Sequence, residues 1–221
     1  MTTTSQAYER FIIKINENAT TDRVSCNKGK FVILFNNNTN RYIEYTLDKR
    51  FEDDIRYIQS IRVDDLKLVA SKKHLDHEEY PIPKNYFDFS NLYIRGTKDK
   101  CSDKIDCFEI KDEDRDNILR DDFQSPSFKF REAPFLISSN KIIVYTVGDF
   151  KVDSAYLSYY RYPKQIGLTN PENPESGFNL NNPEFDDKVV NRIIDLCASE
   201  FYTNTDDQKF QVEKANAISK I

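Results

Sequence analysis

The residues that could bind a metal or perform catalysis are few in this chain. The only two histidines, His74 and His77, lie three positions apart, a spacing that suits one face of a helical turn and two ligands of a metal site. A closed zinc site needs two more ligands, and Cys101 and Cys107 lack the two-residue spacing of a zinc knuckle. We therefore interpret both histidines as exposed side chains of a polar linker, and we predict no metal and no other cofactor.

Enzyme motifs are also missing from the sequence. No Gly-x-Ser-x-Gly nucleophile motif occurs, and the five glycines form no phosphate-binding loop. Adjacent carboxylates such as Asp53 and Asp54 are the residue types that an acid and a base would need, but neighbouring acids on an exposed helix are usually only solvated. The sequence therefore predicts a protein that is not an enzyme.

Aromatic side chains give the strongest signal for binding. The stretch from Ala155 to Pro163 reads A-Y-L-S-Y-Y-R-Y-P, and alternation along a strand places rings on both of its faces. One face can then pack in the core while the other contacts a neighbouring protein. A platform that stacks bases or sugars would interleave more cations than Arg161 and Lys164. The predicted subunit-interface residues are Tyr156, Tyr159, Tyr160, Arg161 and Tyr162.

The composition fits a packed protein that associates with itself. The 221 residues include 16 Phe and 13 Tyr but one Met and no Trp, so large rings must fill much of the interior. A net charge of -5, with cations spread among acids, argues against nucleic-acid binding. Four scattered cysteines predict reduced thiols in a cytoplasmic setting. Neither a membrane-spanning run nor a signal-peptide core is visible, so no membrane partner is expected.

Three helices are predicted before residue 60. Apolar residues at helical spacing, from Tyr8 to Ile15, predict a first helix that begins near Thr4 or Ser5. A second helix is predicted over Phe31 to Tyr45, although the run F-V-I-L-F alone also fits a strand. A third helix is predicted after Asp48, with three residues facing inward: Phe51, Ile55 and Ile58.

The middle of the chain has a β pattern. After a polar connector from Lys72 to Glu79, short aromatic and aliphatic runs extend from Pro83 to Lys164. The clearest pair, 141–147 and 152–162, is separated by Gly148-Asp149 and predicts a hairpin. The acidic segment Asp112 to Asp122 predicts a short helix or a loop.

The last part of the chain predicts a connector and a helix. The Pro- and Asn-rich segment 167–182 predicts an extended arm. Asn182 is a good N-cap, and Pro183 suits the first position of the helix that follows. Its apolar stripe comprises Phe185, Val189, Ile193, Cys197 and Phe201. Thr205 and Gln208 form a capping-box pattern at the start of a weaker final helix.

Seven motifs occur in a characteristic order over most of the chain. They are A-Y-E-R-F-I-I-K-I-N-E-N-A-T from Ala7, G-K-F-V-I-L-F-N from Gly29, E-D-D-I-R-Y-I-Q from Glu52, P-K-N-Y-F-D from Pro83, P-S-F-K-F-R-E from Pro126, Y-L-S-Y-Y-R-Y-P from Tyr156, and D-D-K-V-V-N-R-I-I from Asp186. In this order the chain resembles the ring or adaptor proteins of the head-to-tail connector in crAss-like and related short-tailed bacteriophages.

The resemblance implies an α+β fold in which N- and C-terminal helices form a helical bundle with an inserted antiparallel β domain. The expected parts are an N-terminal helical part at 1–72, a β domain at 80–166, the extended connector at 167–182, and a C-terminal helix and tail at 183–221 that complete the helical domain.

The resemblance also implies a function in the virion, after synthesis in the host bacterial cytoplasm. The protein would form a ring at the capsid-tail junction, commonly a dodecamer, dock on the portal protein and contact further tail ring proteins. Viral DNA would pass through the channel without specific binding. The residues expected to dock on the portal or a neighbour are Phe201, Phe210, Val212, Ile218 and Ile221.

Two other classes of function stay open from the sequence. One is a carbohydrate- or receptor-binding tail module that uses the aromatic β face. The other is a hydrolase that uses a pair of carboxylates. The position of the ring in a tail stack, its copy number and the oligomeric state before docking are also left open by the residues.

Overall fold

The computed structural model describes residues 2–17, 24–49 and 55–203, and the chain divides into two compact units. Unit 1 comprises Met1–Ile61 and Pro163–Ile221, and unit 2 comprises Arg62–Tyr162. The described helices are α1 (Thr4–Asn16), α2 (Lys28–Lys49), α3 (Arg115–Arg120) and α4 (Asp187–Thr203), with 3-10 turns at Arg56–Ile61 and Asp112–Asp114. The strands are β1 (Arg62–Leu68), β2 (Lys72–Lys73), β3 (His77–Pro81), β4 (Tyr86–Lys98), β5 (Cys101–Glu109), β6 (Glu132–Ser138), β7 (Lys141–Tyr145) and β8 (Lys151–Arg161).

Helix α1 begins where the sequence predicts. Thr3 and Gln6 form a capping box, in which the Gln6 N–H donates to the Thr3 hydroxyl oxygen at 3.2 Å and the Thr3 N–H donates to the Gln6 amide oxygen at 3.0 Å. Two of the N–H groups that a helix start leaves unpaired are therefore satisfied.

The prediction of a second helix is confirmed, and the alternative strand does not form. The Asn-rich centre of α2 remains helical, and its buried polar side chains find partners in the preceding turn and in α4. Asn38 donates to the Leu34 carbonyl at 2.9 Å and to Glu200 of α4 at 2.9 Å, and Thr39 donates to the Phe35 carbonyl at 2.7 Å. Of the predicted third helix, the described part is the 3-10 turn with buried Ile58 and Ile61.

Aromatic rings fill the core of unit 1. The Phe11 ring lies 5.2 Å from the Phe31 ring and 5.9 Å from the Phe201 ring, and Phe31 lies 5.5 Å from Phe35. Four residues of the predicted apolar stripe lie in the last helix and are buried: Val189, Ile193, Cys197 and Phe201. The fifth, Phe185, is also buried but precedes the helix. Helix α4 therefore joins the two ends of the chain in one core.

The start of α4 differs from its prediction. Asp186 caps the helix, since its carboxylate accepts from the Val189 N–H at 2.9 Å, and the first helical residue is Asp187. Asn182 instead accepts from the N–H of Thr4 at 3.1 Å. The Asp side chain provides the same capping chemistry four residues later, which leaves Pro183 outside the helix.

The segment predicted as an extended arm folds back on itself. Leu168 and Phe178 form an isolated β-bridge. Thr169 donates its N–H to the Gly177 carbonyl and Asn179 donates its N–H to the Gly167 carbonyl, both at 2.8 Å. The prolines exclude it from a central strand, as expected, but a local loop satisfies its backbone.

Unit 2 is one mixed sheet of eight strands, a half-barrel with the order β1-β8-β4-β5-β6-β7-β3-β2. Its neighbours are antiparallel except β5 and β6, which pair in parallel from Asp106 opposite Glu132 to Glu109 opposite Phe135. The predicted helical bundle with an inserted antiparallel β domain is therefore wrong, although the chain is α+β overall. Parallel neighbours need a crossover connection, and residues 110–131 with the short helix α3 provide it.

The predicted hairpin between 141–147 and 152–162 is also wrong. β7 pairs with β3 and β6, whereas β8 pairs with β1 and β4. Val147 and Gly148 have φ angles of 47 and 74, and the turn redirects the chain away from β7. The Asp149 carboxylate then accepts from the Phe128 N–H at 2.8 Å and pairs with Lys98, which holds this turn against other strands.

The segment predicted as a polar connector contains strands β2 and β3. Two of its acids are buried and paired with cations: Glu78 bonds to Lys73 at 3.0 Å and Glu79 bonds to Lys141 at 2.7 Å. The Tyr80 hydroxyl also donates to Glu78 at 2.7 Å. Pairing allows charged residues at positions that hydropathy alone assigns to a loop.

Candidate interaction surface

Strand β8 divides its aromatic residues between two faces. Ala155, Leu157 and Tyr159 belong to the core of unit 2. The opposite face carries Tyr156, which lies directly across from Tyr93 of β4 and Lys67 of β1. The outer side of three neighbouring strands therefore presents side chains that the core does not use.

Two tyrosines form the centre of this outer surface. The rings of Tyr93 and Tyr156 stack with centroids 4.9 Å apart and an interplanar angle of 14°, and both side chains are partly exposed. The Lys104 ammonium lies 4.5 Å from the Tyr93 ring centroid. We call the surface formed by Tyr93, Tyr156, Lys67 and Lys104 the aromatic face.

Tyr93 is a neutral hydroxyl in this setting. Desolvation, followed by the nearby Asp65 and Tyr156, raises the pKa of Tyr93, against the smaller opposing effects of Lys104 and Arg95. The contact with Lys104 is therefore a cation over a ring and not a pair of opposite charges. A stacked aromatic pair with a cation beside it is suited to burial against another protein.

A second aromatic pair lies at the end of β8. The Tyr162 ring packs edge-on against Phe87 at 4.8 Å, and Tyr162 is 50% exposed. Arg161 donates to the Tyr162 carbonyl at 3.1 Å. This pair also offers apolar surface to a partner.

Two of the five predicted interface residues are buried within the chain itself. Tyr159 and Tyr160 are 3% and 5% exposed, and the Tyr159 hydroxyl donates to Asn85 at 2.9 Å. They offer almost no area to a neighbour. Tyr156, Arg161 and Tyr162 keep more exposed surface and remain interface candidates.

Sequence reasoning missed Tyr93 and Phe87. Tyr93 joins the surface by stacking on Tyr156, and Phe87 joins it by packing against Tyr162. Both contacts require that β4 pairs with β8, at ten registered positions, and the sequence does not show this pairing. The available signal was the concentration of aromatic residues in β4, at Tyr86, Phe87, Phe89 and Tyr93.

The predicted docking residues divide between described and undescribed parts of the chain. Phe201 is 4% exposed and packs on Phe11 and on Tyr202 at 5.7 Å, so its ring serves the core of unit 1. The other four lie outside the described residues, so their assignment stays a prediction: Phe210, Val212, Ile218 and Ile221.

Of the carboxylates and histidines considered for catalysis or metal binding, the structure describes only the two histidines and brings them together. Asp53 and Asp54 lie outside the described residues. His74 lies exposed in the turn after β2, as expected for a linker, whereas His77 is partly buried and begins β3. Every buried side-chain nitrogen or oxygen in the described ranges has a hydrogen-bond partner. Within those ranges, then, each buried polar group is already satisfied by the fold.

Comparison with protein families gives no match of any family model to this chain. Comparison with curated proteins gives no match either. Among the described residues, no helix has both the length and the apolar character that crossing a membrane requires.

Proposed function

We propose that this chain is a virion structural protein that forms a ring at the capsid-tail junction. In this role it docks on the portal protein, contacts further tail ring proteins and extends the DNA channel into the tail. The observation that carries the proposal is the aromatic face, where the stacked pair Tyr93 and Tyr156 is left partly exposed on the outside of a complete core.

A closed ring requires each subunit to carry two complementary surfaces. Head-to-tail contacts between identical subunits close into a ring when the rotation between them divides a full turn. The aromatic face is the first surface, because tyrosine buries a large ring with few rotatable bonds and retains a hydroxyl for hydrogen bonding.

Exposed aliphatic residues of unit 1 support a second surface. Ile13 of α1 and Ile33 of α2 are 61% and 62% exposed, although both lie in helices that contribute fully buried residues to the core, such as Phe11 and Phe31. Aliphatic side chains are suitable partners for tyrosine rings at an interface. The proposal pairs this surface of one subunit with the aromatic face of the next.

The charge of the chain supports a passage for DNA and not a binding site. The net charge is -5, and the lysines of the aromatic face are accompanied by acids such as Asp106, which lies opposite Tyr93 in β5. A wall without clustered cations releases no counterions from DNA and allows the duplex to slide.

Particle images of the purified chain, alone and mixed with portal protein, test the proposal. We expect rotationally symmetric rings that stack on the portal. A double variant, Tyr93→Ser with Tyr156→Ser, should remain folded by circular dichroism and lose ring formation, whereas Val69→Ser, at a site that is 78% exposed elsewhere in unit 2, should form rings normally.

Two results would overturn the proposal. The first is a chain that stays monomeric with and without portal. The second is a virion in which the chain is absent or lies without symmetry about the tail axis. Binding of the monomer to glycans on an array would favour a carbohydrate-binding tail module instead.

The C-terminal stretch is proposed as the arm that docks on the portal. The described core of unit 1 ends at Tyr202, whose ring packs against Phe201. Deletion of residues 206–221 should therefore leave a folded chain with weaker portal association in a pull-down. Undiminished association would refute the arm assignment and leave the ring proposal standing.

A further inference from the structure

The turn that leads from β2 into β3 brings His74 close to two residues of β3, His77 and Glu79. The His74 N–H donates to the His77 carbonyl at 2.9 Å and closes the turn. The two imidazole rings stack with centroids 4.4 Å apart and an interplanar angle of 19°. One possible ligand atom from each of His74, His77 and Glu79 lies within 4.8 Å of the other two.

We propose that His74, His77 and Glu79 bind a divalent transition-metal ion, with Zn²⁺ as the best match. Two imidazole nitrogens and one carboxylate oxygen are the donor set that zinc takes in sites with three protein ligands and one open position. Ligands at about 2.0–2.2 Å from zinc lie roughly 3.5 Å apart in a tetrahedron. The separations here are at most 4.8 Å, so closing the site needs a shortening of no more than about 1.3 Å, and the exposed side chain of His74 can move.

Asp76 prepares His77 for a metal. The Asp76 carboxylate lies 2.9 Å from His77 Nδ1, and a carboxylate only accepts, so Nδ1 carries the proton. The lone pair of the neutral ring is then on Nε2, which is the atom available to the ion. A carboxylate behind a histidine ligand is the usual arrangement that fixes the ring and raises its basicity as a ligand.

The third ligand is shared with a cation. Glu79 is 9% exposed and its Oε1 accepts from the Lys141 ammonium at 2.7 Å. Lys141 therefore competes with the ion for the carboxylate and lowers the affinity below that of a closed four-ligand site. Removing this competition should strengthen binding, so Lys141→Met is expected to bind Zn²⁺ more tightly than the unsubstituted chain.

Metal binding would attach β2 more firmly to β3. β2 contains two residues, Lys72 and Lys73, which pair only with Glu79 and Glu78 in the described sheet. An ion bound by His74, His77 and Glu79 would link the residue after β2 to β3, beside this short ladder. Because the ion binds the folded turn and not the unfolded chain, Zn²⁺ should raise the thermal midpoint of the protein.

Titration of the isolated, tag-free chain with Zn²⁺ tests the site. Cysteine thiols can also bind Zn²⁺. Burial raises the pKa of Cys107 and of Cys197, which keeps these two thiols protonated. Cys101 is exposed, so all proteins in this titration carry Cys101→Ser. Calorimetry should give one Zn²⁺ per chain. His77→Ala should reduce the affinity at least a hundredfold, and Asp76→Asn should reduce it about tenfold.

Matched controls separate the site from general charge effects. Asp99→Asn removes an exposed carboxylate from another turn of unit 2 and should leave Zn²⁺ affinity unchanged. The thermal midpoint of each variant without metal shows whether it folds. Because the chain has only two histidines, ¹⁵N signals of the imidazoles should show Nε2 of His77 shifting on Zn²⁺ addition while Nδ1 keeps its proton.

Two outcomes would overturn the inference. One is the absence of binding at a large molar excess of Zn²⁺. The other is binding that survives the double variant His74→Ala with His77→Ala, which would place the ion elsewhere. Neither result depends on ring formation, so this test and the test of the proposed function fail separately.

Discussion

The two units of the chain build their cores in opposite ways. In unit 1, rings from distant parts of the sequence meet, with Phe11 and Phe31 from the N-terminal helices against Phe201 from α4. In unit 2, one continuous segment supplies the entire core, and its first strand pairs with its last. The comparison teaches that unit 1 depends on both ends of the chain, whereas unit 2 contains everything that its own packing needs.

Removing α4 should give the largest difference in stability between the two units. A chain that ends at Tyr162 leaves the apolar sides of α1 and α2 without the helix that covers them, so unit 1 should unfold and unit 2 should remain. Hydrogen exchange should show unprotected amides in α1 and α2 and protected amides in β4 and β8. Loss of protection in β4 and β8 would contradict the independence of unit 2.

A single ring in unit 1 has the next largest expected effect. Phe31 is fully buried and contacts three other phenylalanines, so Phe31→Ala should lower the free energy of unfolding by about 3–5 kcal/mol. Urea denaturation measures it. Ile33→Ala, in the same helix and 62% exposed, is the control and should change the free energy by less than about 0.5 kcal/mol.

Unit 2 relies on a partly buried carboxylate in the turn before β8. Asp149 pairs with Lys98 and accepts from the Phe128 N–H, so Asp149→Asn should cost about 1–2 kcal/mol at neutral pH. Desolvation raises the pKa of Asp149, whereas the bonds to Lys98 and to the Phe128 N–H lower it. The two bonds together outweigh desolvation, so the pKa lies below its usual value.

The sign of the pH dependence follows from that lowered pKa. The stabilising contribution is complete above the unfolded value of about 4 and disappears as the pH falls through the lower folded value. The difference between the unsubstituted chain and Asp149→Asn should therefore shrink in urea titrations below about pH 4. A difference that stays constant down to low pH would show that the charge of Asp149 does not matter.

Helix caps have the smallest expected effects and belong to unit 1 only. Thr3→Ala removes the capping box of α1, and Asp186→Ala removes the acceptor at the start of α4, so each should cost about 1 kcal/mol. Ser5→Ala, an exposed position inside α1, serves as the control. Amide exchange in the strands of unit 2 should be the same in all three variants, and a change there would break the comparison between the units.

Local patterns in the sequence were enough to predict α1, α2 and α4, whereas the first part of the helix predicted after Asp48 and all of the final helix predicted from Thr205 lie outside the described residues. The spacing of Tyr8 to Ile15 and the stripe of α4 depend on neighbours one turn away, which a sequence displays directly. The cap of α4 was predicted four residues early because Asn182 and Asp186 have the same capping chemistry, and only packing decides between them.

Strand pairing could not be predicted from the sequence in the same way. The Gly148-Asp149 signal indicates a turn, and a turn forms there, but the partners of β7 and β8 lie up to about a hundred residues away. The parallel pair β5 and β6 depends on a crossover that has no local signature. The aromatic face has the same origin, since Tyr93 meets Tyr156 only after β4 and β8 are in register.

The outermost strands of the eight-stranded sheet limit how copies of this chain can meet. β1 has an irregular register between Val63 and Leu66, where Asp65 adopts a φ of 51 and donates its N–H to the Ser158 hydroxyl. At the other margin, β2 is two lysines long. Neither margin is a long, flat template for strand addition, so a concentrated solution should remain free of amyloid-like fibrils, and in the proposed ring this sheet would contact other copies through side chains instead of shared backbone ladders.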